Sequence, residues 1–149
     1  MTDKEKTVEE YLAETGEYAA TTLGISMYPL LKNKQYAVKI VPVTGRLRKY
    51  DVALFRRGKQ LVLHRVIKVR PECYYIRGDN CEDGEWVYDS QVVGVLKEIT
   101  GKDKHIKTTD KLYILYSYLT VFFYPCQFVI KKLYRIAKQL ARRVLKNER

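Results

Sequence analysis

The sequence predicts a mainly β fold, a compact antiparallel β-barrel-like domain with a short N-terminal helix and a basic amphipathic C-terminal helix. Between residues 36 and 99 the chain consists of short β-branched and aromatic segments separated by turn residues. An acidic segment with a helical pattern precedes this region, and a basic segment with a helical pattern follows it. We therefore divide the chain into residues 1–20, 21–100 and 101–149.

The first predicted element is a helix over residues 8–18. Thr7 and Glu10 form a T-x-x-E capping box, and Val8, Tyr11 and Leu12 lie on one face. The first 20 residues hold six acids and two lysines and lack the apolar core of a secretory signal. We therefore expect any contact with a membrane to come from another segment.

Five strands are predicted after this helix, each bounded by turns that contain Gly or Pro. They cover residues 36–41, 51–57, 61–69, 73–77 and 91–99. No helix-length pattern separates them, so the sheet is expected to be antiparallel rather than parallel.

An uncharged run of 19 residues, 112–130, begins the C-terminal part. A helix of that length would nearly cross a bilayer core of ~30 Å, but four tyrosines, Pro125 and Gln127 favour an interfacial or core-packed segment. The residues that follow form one apolar stripe at helical spacing. Its members are Ile130, Leu133, Ala137, Leu140 and Val144.

The other faces of this last helix are basic, since residues 131–149 carry eight basic side chains and one acid. Such a helix can lie on an anionic membrane or pack on its own domain with a solvated basic face. We expect an anionic membrane contact through residues 112–146. The expected location is cytoplasmic, with peripheral membrane attachment favoured over a single C-terminal span. No signature of specific nucleic-acid binding is present, so no such partner is expected.

The composition of the whole chain limits its chemistry. Its 149 residues, 46% of them hydrophobic, suffice for one packed domain, and the net charge of +11 favours phosphate-bearing partners. Cys73, Cys81 and Cys126 lack the spacing of a zinc site or a disulfide framework, and a reducing compartment is the simpler interpretation. We expect neither a cofactor nor a metal.

Three short segments carry the candidate chemistry: GISMYP at 24–29, LHRV at 63–66 and GDN at 78–80. Ser26 lies on a constrained turn, but a serine hydroxyl attacks only when a base removes its proton. His64 is either a buried core residue between two valines or such a base, since its reference pKa is ~6.5. Asp79 either caps its own turn or orients the imidazole, and Asp83 is the second candidate for that role.

Five segments in order, G-I-S-M-Y-P, D-V-A-L-F, L-H-R-V, R-G-D-N and V-V-G-V-L, resemble the type I signal peptidase family. The resemblance covers about residues 24–99. It implies a β-fold serine endopeptidase, a hydrolase that removes N-terminal leader segments after small side chains. Because a histidine, His64, occupies the place of the base, the chain is similar to the Ser–His subtype of endoplasmic-reticulum and archaeal members.

The resemblance also implies roles for individual residues. Ser26 would attack the scissile carbonyl, and its backbone N–H would donate to the oxyanion. His64 would take the hydroxyl proton and hand one to the leaving amine. The subtype carries a supporting acid some residues beyond G-D-N, where this chain has Asp83 early and Glu85 with a longer side chain. Asp79 therefore ranks first for this role and Asp83 second, with Glu82 and Glu85 as weaker candidates.

The strand itself suggests the binding mode. An extended leader or preprotein peptide would add to the edge of LVLH by main-chain hydrogen bonds, and Ile25, Met27 and Leu63 would contact its small side chains.

Two alternatives remain open. Self-cleaving repressor-type peptidases share the G-x-S-M turn, although they usually carry a DNA-binding domain before the site and a lysine base, where this chain has 25 residues and His64. The other alternative is a non-catalytic binder of anionic membrane or nucleic acid on a peptidase-like fold. The basic C-terminal segment and the 13 tyrosines motivate it.

Overall fold

The computed structural model describes residues 6–147 and the side chains as far as residue 143. Residues 1–5 of the predicted acidic segment and the side chain of Val144 therefore lie outside the described part. The helices and strands are α1 Val8–Thr15, β1 Tyr18–Thr21, β2 Ala37–Val41, β3 Val52–Arg57, β4 Gln60–Val69, β5 Cys73–Arg77, β6 Glu85–Tyr88, β7 Val92–Gly101, β8 Lys104–Lys107, α2 Lys111–Phe122 and α3 Tyr124–Asn147.

The N-terminal helix begins where the capping box predicts. The Glu10 backbone N–H donates to Thr7 Oγ1 at 3.2 Å, and the Thr7 N–H donates to the Glu10 carboxylate at 2.9 Å. The helix ends earlier than the predicted residue 18, because Gly16 adopts a left-handed φ of 76° and its N–H donates to the Leu12 carbonyl. Tyr18 consequently begins a strand instead.

The strands form one antiparallel sheet in the order β1-β2-β7-β3-β4-β5-β6, with β8 paired to the end of β7. All five predicted strands are present, and the antiparallel prediction is confirmed. The path is open, so closure into a barrel is not confirmed. The prediction missed β1, β6 and β8, which have four residues each and are too short to show a period.

Alternation along β3 divides the core into two clusters. Val52 and Leu54 join the cluster that contains Leu12, while Ala53 and Phe55 join the cluster that contains Tyr74. Because β3 lies between β7 and β4, all four of its residues from 52 to 55 are buried. This rigid strand supports β4, which carries His64 opposite Ala53.

The two C-terminal helices differ in how they meet the sheet. α2 buries Tyr113, Ser117 and Thr120, three residues on one helical face. The apolar stripe predicted for α3 lies outward, with Ile130 65% exposed and Leu133 61% exposed. Packing of that stripe on the domain, one of the two alternatives left open by the sequence, is therefore contradicted.

The lengths and compositions of the described helices bear on whether a segment could cross a membrane. Among the described residues, no single helix is both long enough and apolar enough to cross a bilayer. α2 and α3 taken together meet the length and composition requirement, but they are bent by 59° where they join.

Candidate active site

Ser26 lies on a turn that its own hydrogen bonds hold in shape. The Tyr28 N–H donates to the Ile25 carbonyl at 3.1 Å. Gly24 begins the turn with a φ of +92°, a backbone conformation that favours glycine, and its N–H donates to Asn33 Oδ1 at 2.9 Å. The constrained turn predicted at Ser26 is therefore present, but it lies between β1 and β2 rather than before the sheet, because Tyr18–Thr21 already pair with β2.

The loop at residues 78–80 is bonded directly to the Ser26 turn. The Asn80 backbone N–H donates to the Ser26 carbonyl at 2.8 Å, and Asn80 Nδ2 donates to the Ile25 carbonyl at 3.1 Å. At Gly78, a Cβ would lie 2.6 Å from the Ser26 carbonyl oxygen and 3.0 Å from His64 Nε2. The absence of a side chain at Gly78 thus lets the turn, the loop and the imidazole approach one another.

Ser26 and His64 line the same cleft, which has a volume of about 710 Å³. His64 is 7% exposed, and Ser26 is half-buried. Within residues 6–143, neither the Ser26 hydroxyl nor the His64 ring makes a hydrogen bond, to the other or to any third residue. In serine hydrolases generally, the hydrogen bond between the serine and its base is often long when no substrate is bound.

The environment of His64 favours a neutral imidazole. Burial, followed by the positive charge of Arg57, lowers the pKa of His64 from its ordinary 6.5 to about 4. The carboxylates of Glu85 and Asp79 act in the opposite direction but do not compensate. At neutral pH the ring therefore has an unprotonated nitrogen that can accept a proton.

Asp79 has a different partner from the one predicted. Its carboxylate accepts two hydrogen bonds from Arg65, at 2.7 and 2.8 Å, and a third at 3.0 Å from the Tyr116 hydroxyl. No hydrogen bond joins it to His64 in the described part of the chain, so the direct support expected of Asp79 is replaced by a through-space effect of its charge. Asp83 lines the cleft and is exposed, but it also makes no bond to the imidazole.

The Arg65–Asp79 ion pair is fully enclosed. The two side chains are 0% and 1% exposed, and Arg65 also donates to Ser117 Oγ of α2 at 2.8 Å. Although burial opposes it, the Asp79 carboxylate raises the pKa of Arg65, which keeps the guanidinium charged. Burial raises the pKa of Tyr116 as well, so its hydroxyl remains a donor to Asp79. This pair fixes the loop that follows Gly78 against both the sheet and α2.

The predicted substrate contacts are only partly brought together. Met27 and Leu63 line the cleft, whereas Ile25 is 65% exposed and is not among its lining residues. The backbone N–H of Ser26 has no acceptor among the described residues, so this donor is available to a developing oxyanion.

The cleft also holds Arg57 and Cys81, to which sequence reasoning assigned no role, and Glu85, which it considered only as a weaker candidate for the acid beside His64. Arg57 and Glu85 form an ion pair there, with the Arg57 Nε–Glu85 Oε2 bond at 3.0 Å, and the Cys81 thiol lies beside Gly78. Asn80 is the last residue of the R-G-D-N segment, and the segment alone does not indicate a catalytic or positioning role for it. Its bonds to two carbonyls of the Ser26 turn follow from tertiary structure, which the segment alone does not reveal.

Among the residues that the structure describes, no group of three His, Cys, Asp or Glu side chains could hold a metal ion. No family model matches the chain, and no curated protein matches it in sequence.

Proposed function

We propose that this protein is a serine endopeptidase that uses a Ser26–His64 dyad to cleave leader or signal-like peptides after small side chains. The observation that supports the proposal most is that Ser26 and His64 line one cleft, and that the Ser26 carbonyl and His64 Nε2 both lie beside Gly78. The resemblance of the sequence to type I signal peptidases supports it independently.

The residues suggest a sequence of steps. Ser26 Oγ attacks the scissile carbonyl carbon while its proton passes to His64 Nε2, and the Ser26 N–H donates to the oxyanion. The C–N bond then breaks, and the imidazolium gives its proton to the leaving amine. Water attacks the acyl-enzyme with His64 again as base, which releases the new carboxylate and restores the serine.

Two unpaired strand edges suggest how the peptide binds. Among the described residues, β1 pairs only with β2, and β4 pairs with β5 only from Arg65 onward. Leu61 and Leu63 therefore lie where one edge of β4 is free of any described strand. Residues of β1 and of this half of β4 line the cleft. An extended peptide would bind there through main-chain hydrogen bonds.

We also propose peripheral attachment to an anionic membrane through α2 and α3. The outward apolar stripe of α3 is accompanied by exposed basic residues, the composition typical of a helix in the headgroup region. An anionic bilayer satisfies both the apolar and the basic side chains, whereas nucleic acid would satisfy only the latter.

Replacing the nucleophile tests the enzymatic proposal. Ser26→Ala and His64→Gln should each lower kcat/KM on leader peptides by about 10³-fold or more, as in other enzymes that use such groups. A fluorophosphonate should label Ser26 in the wild type, with the adduct located by mass spectrometry. Ser90→Ala, which removes an exposed serine, serves as the control and should retain full activity. Unchanged cleavage in both site variants would overturn the proposal.

A further inference from the structure

Polar side chains of α3 contact the loop at residues 78–82, which lies next to the Ser26 turn. Lys131 Nζ donates to the Asn80 backbone carbonyl at 3.0 Å and to Asn80 Oδ1 at 2.9 Å. Arg135 pairs with Glu82 at 2.8 Å, and the Tyr124 hydroxyl donates to the Glu82 carbonyl. These contacts fasten one face of α3 along residues 80–82, next to the Ser26 turn.

Asn80 lies between Lys131 and the nucleophile. Its N–H and Nδ2 donate to the carbonyls of Ser26 and Ile25, while its carbonyl and Oδ1 accept from Lys131. An ammonium group has only donors, so it selects the orientation of the amide in which Oδ1 faces the lysine. That orientation is the one in which Nδ2 faces the Ser26 turn.

Lys131 is also in a different setting from Lys132 and Lys138, the other lysines of α3 whose side chains are described. It is half-buried, while Lys132 and Lys138 are exposed, and burial of a long charged side chain costs free energy unless its donors are satisfied. Its two hydrogen bonds to Asn80 satisfy two of the three donors of the ammonium group, and the partial exposure of Lys131 leaves the third within reach of solvent.

We propose that Lys131 is a positioning residue for the nucleophile, acting through Asn80 to hold the Ser26 turn against His64. The inference rests on the proposed peptidase function. Because displacement of a reacting group by about 1 Å can cost 10²-fold in rate, loss of Lys131 should act on the chemical step more than on peptide binding.

The test uses two variants of Lys131, one that removes its hydrogen-bond donors and one that restores charged donors. Lys131→Met keeps the apolar stem and removes the ammonium, and Lys131→Arg restores charged donors. Lys111→Met is the matched control, since Lys111 is exposed at the beginning of α2. We expect Lys131→Met to lower kcat about tenfold or more with KM within about twofold, Lys131→Arg to recover part of the loss, and Lys111→Met to behave as wild type.

A second readout does not depend on catalysis. Amide hydrogen exchange should become faster at residues 24–31 and 78–82 in Lys131→Met, but not in Lys111→Met, with the melting temperature little changed. Asn80→Ala should lower kcat in the same way. The double variant Lys131→Met/Asn80→Ala should be no slower than Asn80→Ala alone, because both substitutions break the same series of hydrogen bonds from Lys131 through Asn80 to the Ser26 turn.

The outcomes separate the two proposals. A wild-type protein that neither cleaves peptides nor reacts with a fluorophosphonate overturns the peptidase function, whatever the exchange data show. Equal exchange, or equal kcat, in Lys131→Met and Lys111→Met overturns the positioning role. A loss of kcat that only follows a lower melting temperature and that arginine does not restore would also overturn it.

Discussion

The imidazole of His64 is surrounded by charges of both signs, and their balance sets its basicity. Burial and Arg57 lower its pKa to about 4, while Glu85 and Asp79 oppose that shift. Since general base catalysis needs the neutral ring, kcat/KM should be constant from neutral pH down to about pH 5 and fall as the pH drops through about 4. A pH–rate profile of the free enzyme measures this limb. If kcat/KM instead fell at pH ~6.5, the ordinary pKa of a solvated histidine, the lowered pKa of His64 would be contradicted.

The same balance predicts opposite shifts for two substitutions in the cleft. Arg57→Met removes the positive charge and should move the acid limb to higher pH, whereas Glu85→Gln removes a negative charge and should move it lower. Arg46→Met, at an exposed ion pair with Asp89, should leave it unchanged. If both cleft variants gave the wild-type profile, neither charge would act on His64.

Individual residues also show what a sequence can and cannot reveal about a site. Ser26 and His64 stand in short segments whose residue types indicate their chemistry, and folding brings both to one cleft. The partner of Asp79 could not be read from its segment, because a carboxylate binds whichever cation the fold presents, here Arg65. The contact between Lys131 and Asn80 could not be predicted, since Lys131 is one of many basic residues in its helix and lies 51 residues from Asn80.

At the scale of elements, the Arg65–Asp79 pair joins β4, the 78–80 loop and α2. Asp79→Asn would leave Arg65 buried without its counter-charge, and breaking a buried pair in this way costs about 3–5 kcal/mol. We therefore expect the free energy of unfolding in urea to fall by about that amount. Asp83→Asn, at an exposed carboxylate, should change it by no more than about 0.5 kcal/mol. Equal effects of the two substitutions would show that the pair does not hold these elements together.

The strands of five or more residues were predictable from their local pattern, and the four-residue strands were not. The ten-residue strands β4 and β7 display enough β-branched residues to be found from the sequence. β1 and β8 consist of four residues each, and their strand conformation comes from pairing with β2 and β7 rather than from local preference.

The whole molecule has an asymmetric surface, because α3 faces outward with apolar and basic side chains together. The protein should float with vesicles that contain anionic lipid, less so as salt screens the basic residues, and hardly at all with neutral vesicles. Serine at both Leu133 and Leu140 should weaken this binding by about tenfold or more, since each leucine contributes about 1.5–3 kcal/mol when fully buried. Val69→Ser, at an exposed residue of β4, is the control.

Other outcomes of that experiment would identify a different occupant of the stripe. If immobilised nucleic acid retained the protein while vesicles did not bind it, the partner of this surface would be a polyanion rather than a bilayer. A dimer that Leu133→Ser abolishes would replace it with a second copy of the chain.

The distance along the chain between Lys131 and the loop it contacts has a consequence for biosynthesis. A ribosome makes proteins from the N-terminus, so the sheet, the Ser26 turn and Asn80 leave the exit tunnel well before α3 does. The nascent polypeptide therefore carries the Ser26 turn for some time without the helix that fastens the neighbouring loop. The order of translation makes the lysine contact one of the last to form, so the proposed alignment of Ser26 with His64 would be complete only after that late segment has folded.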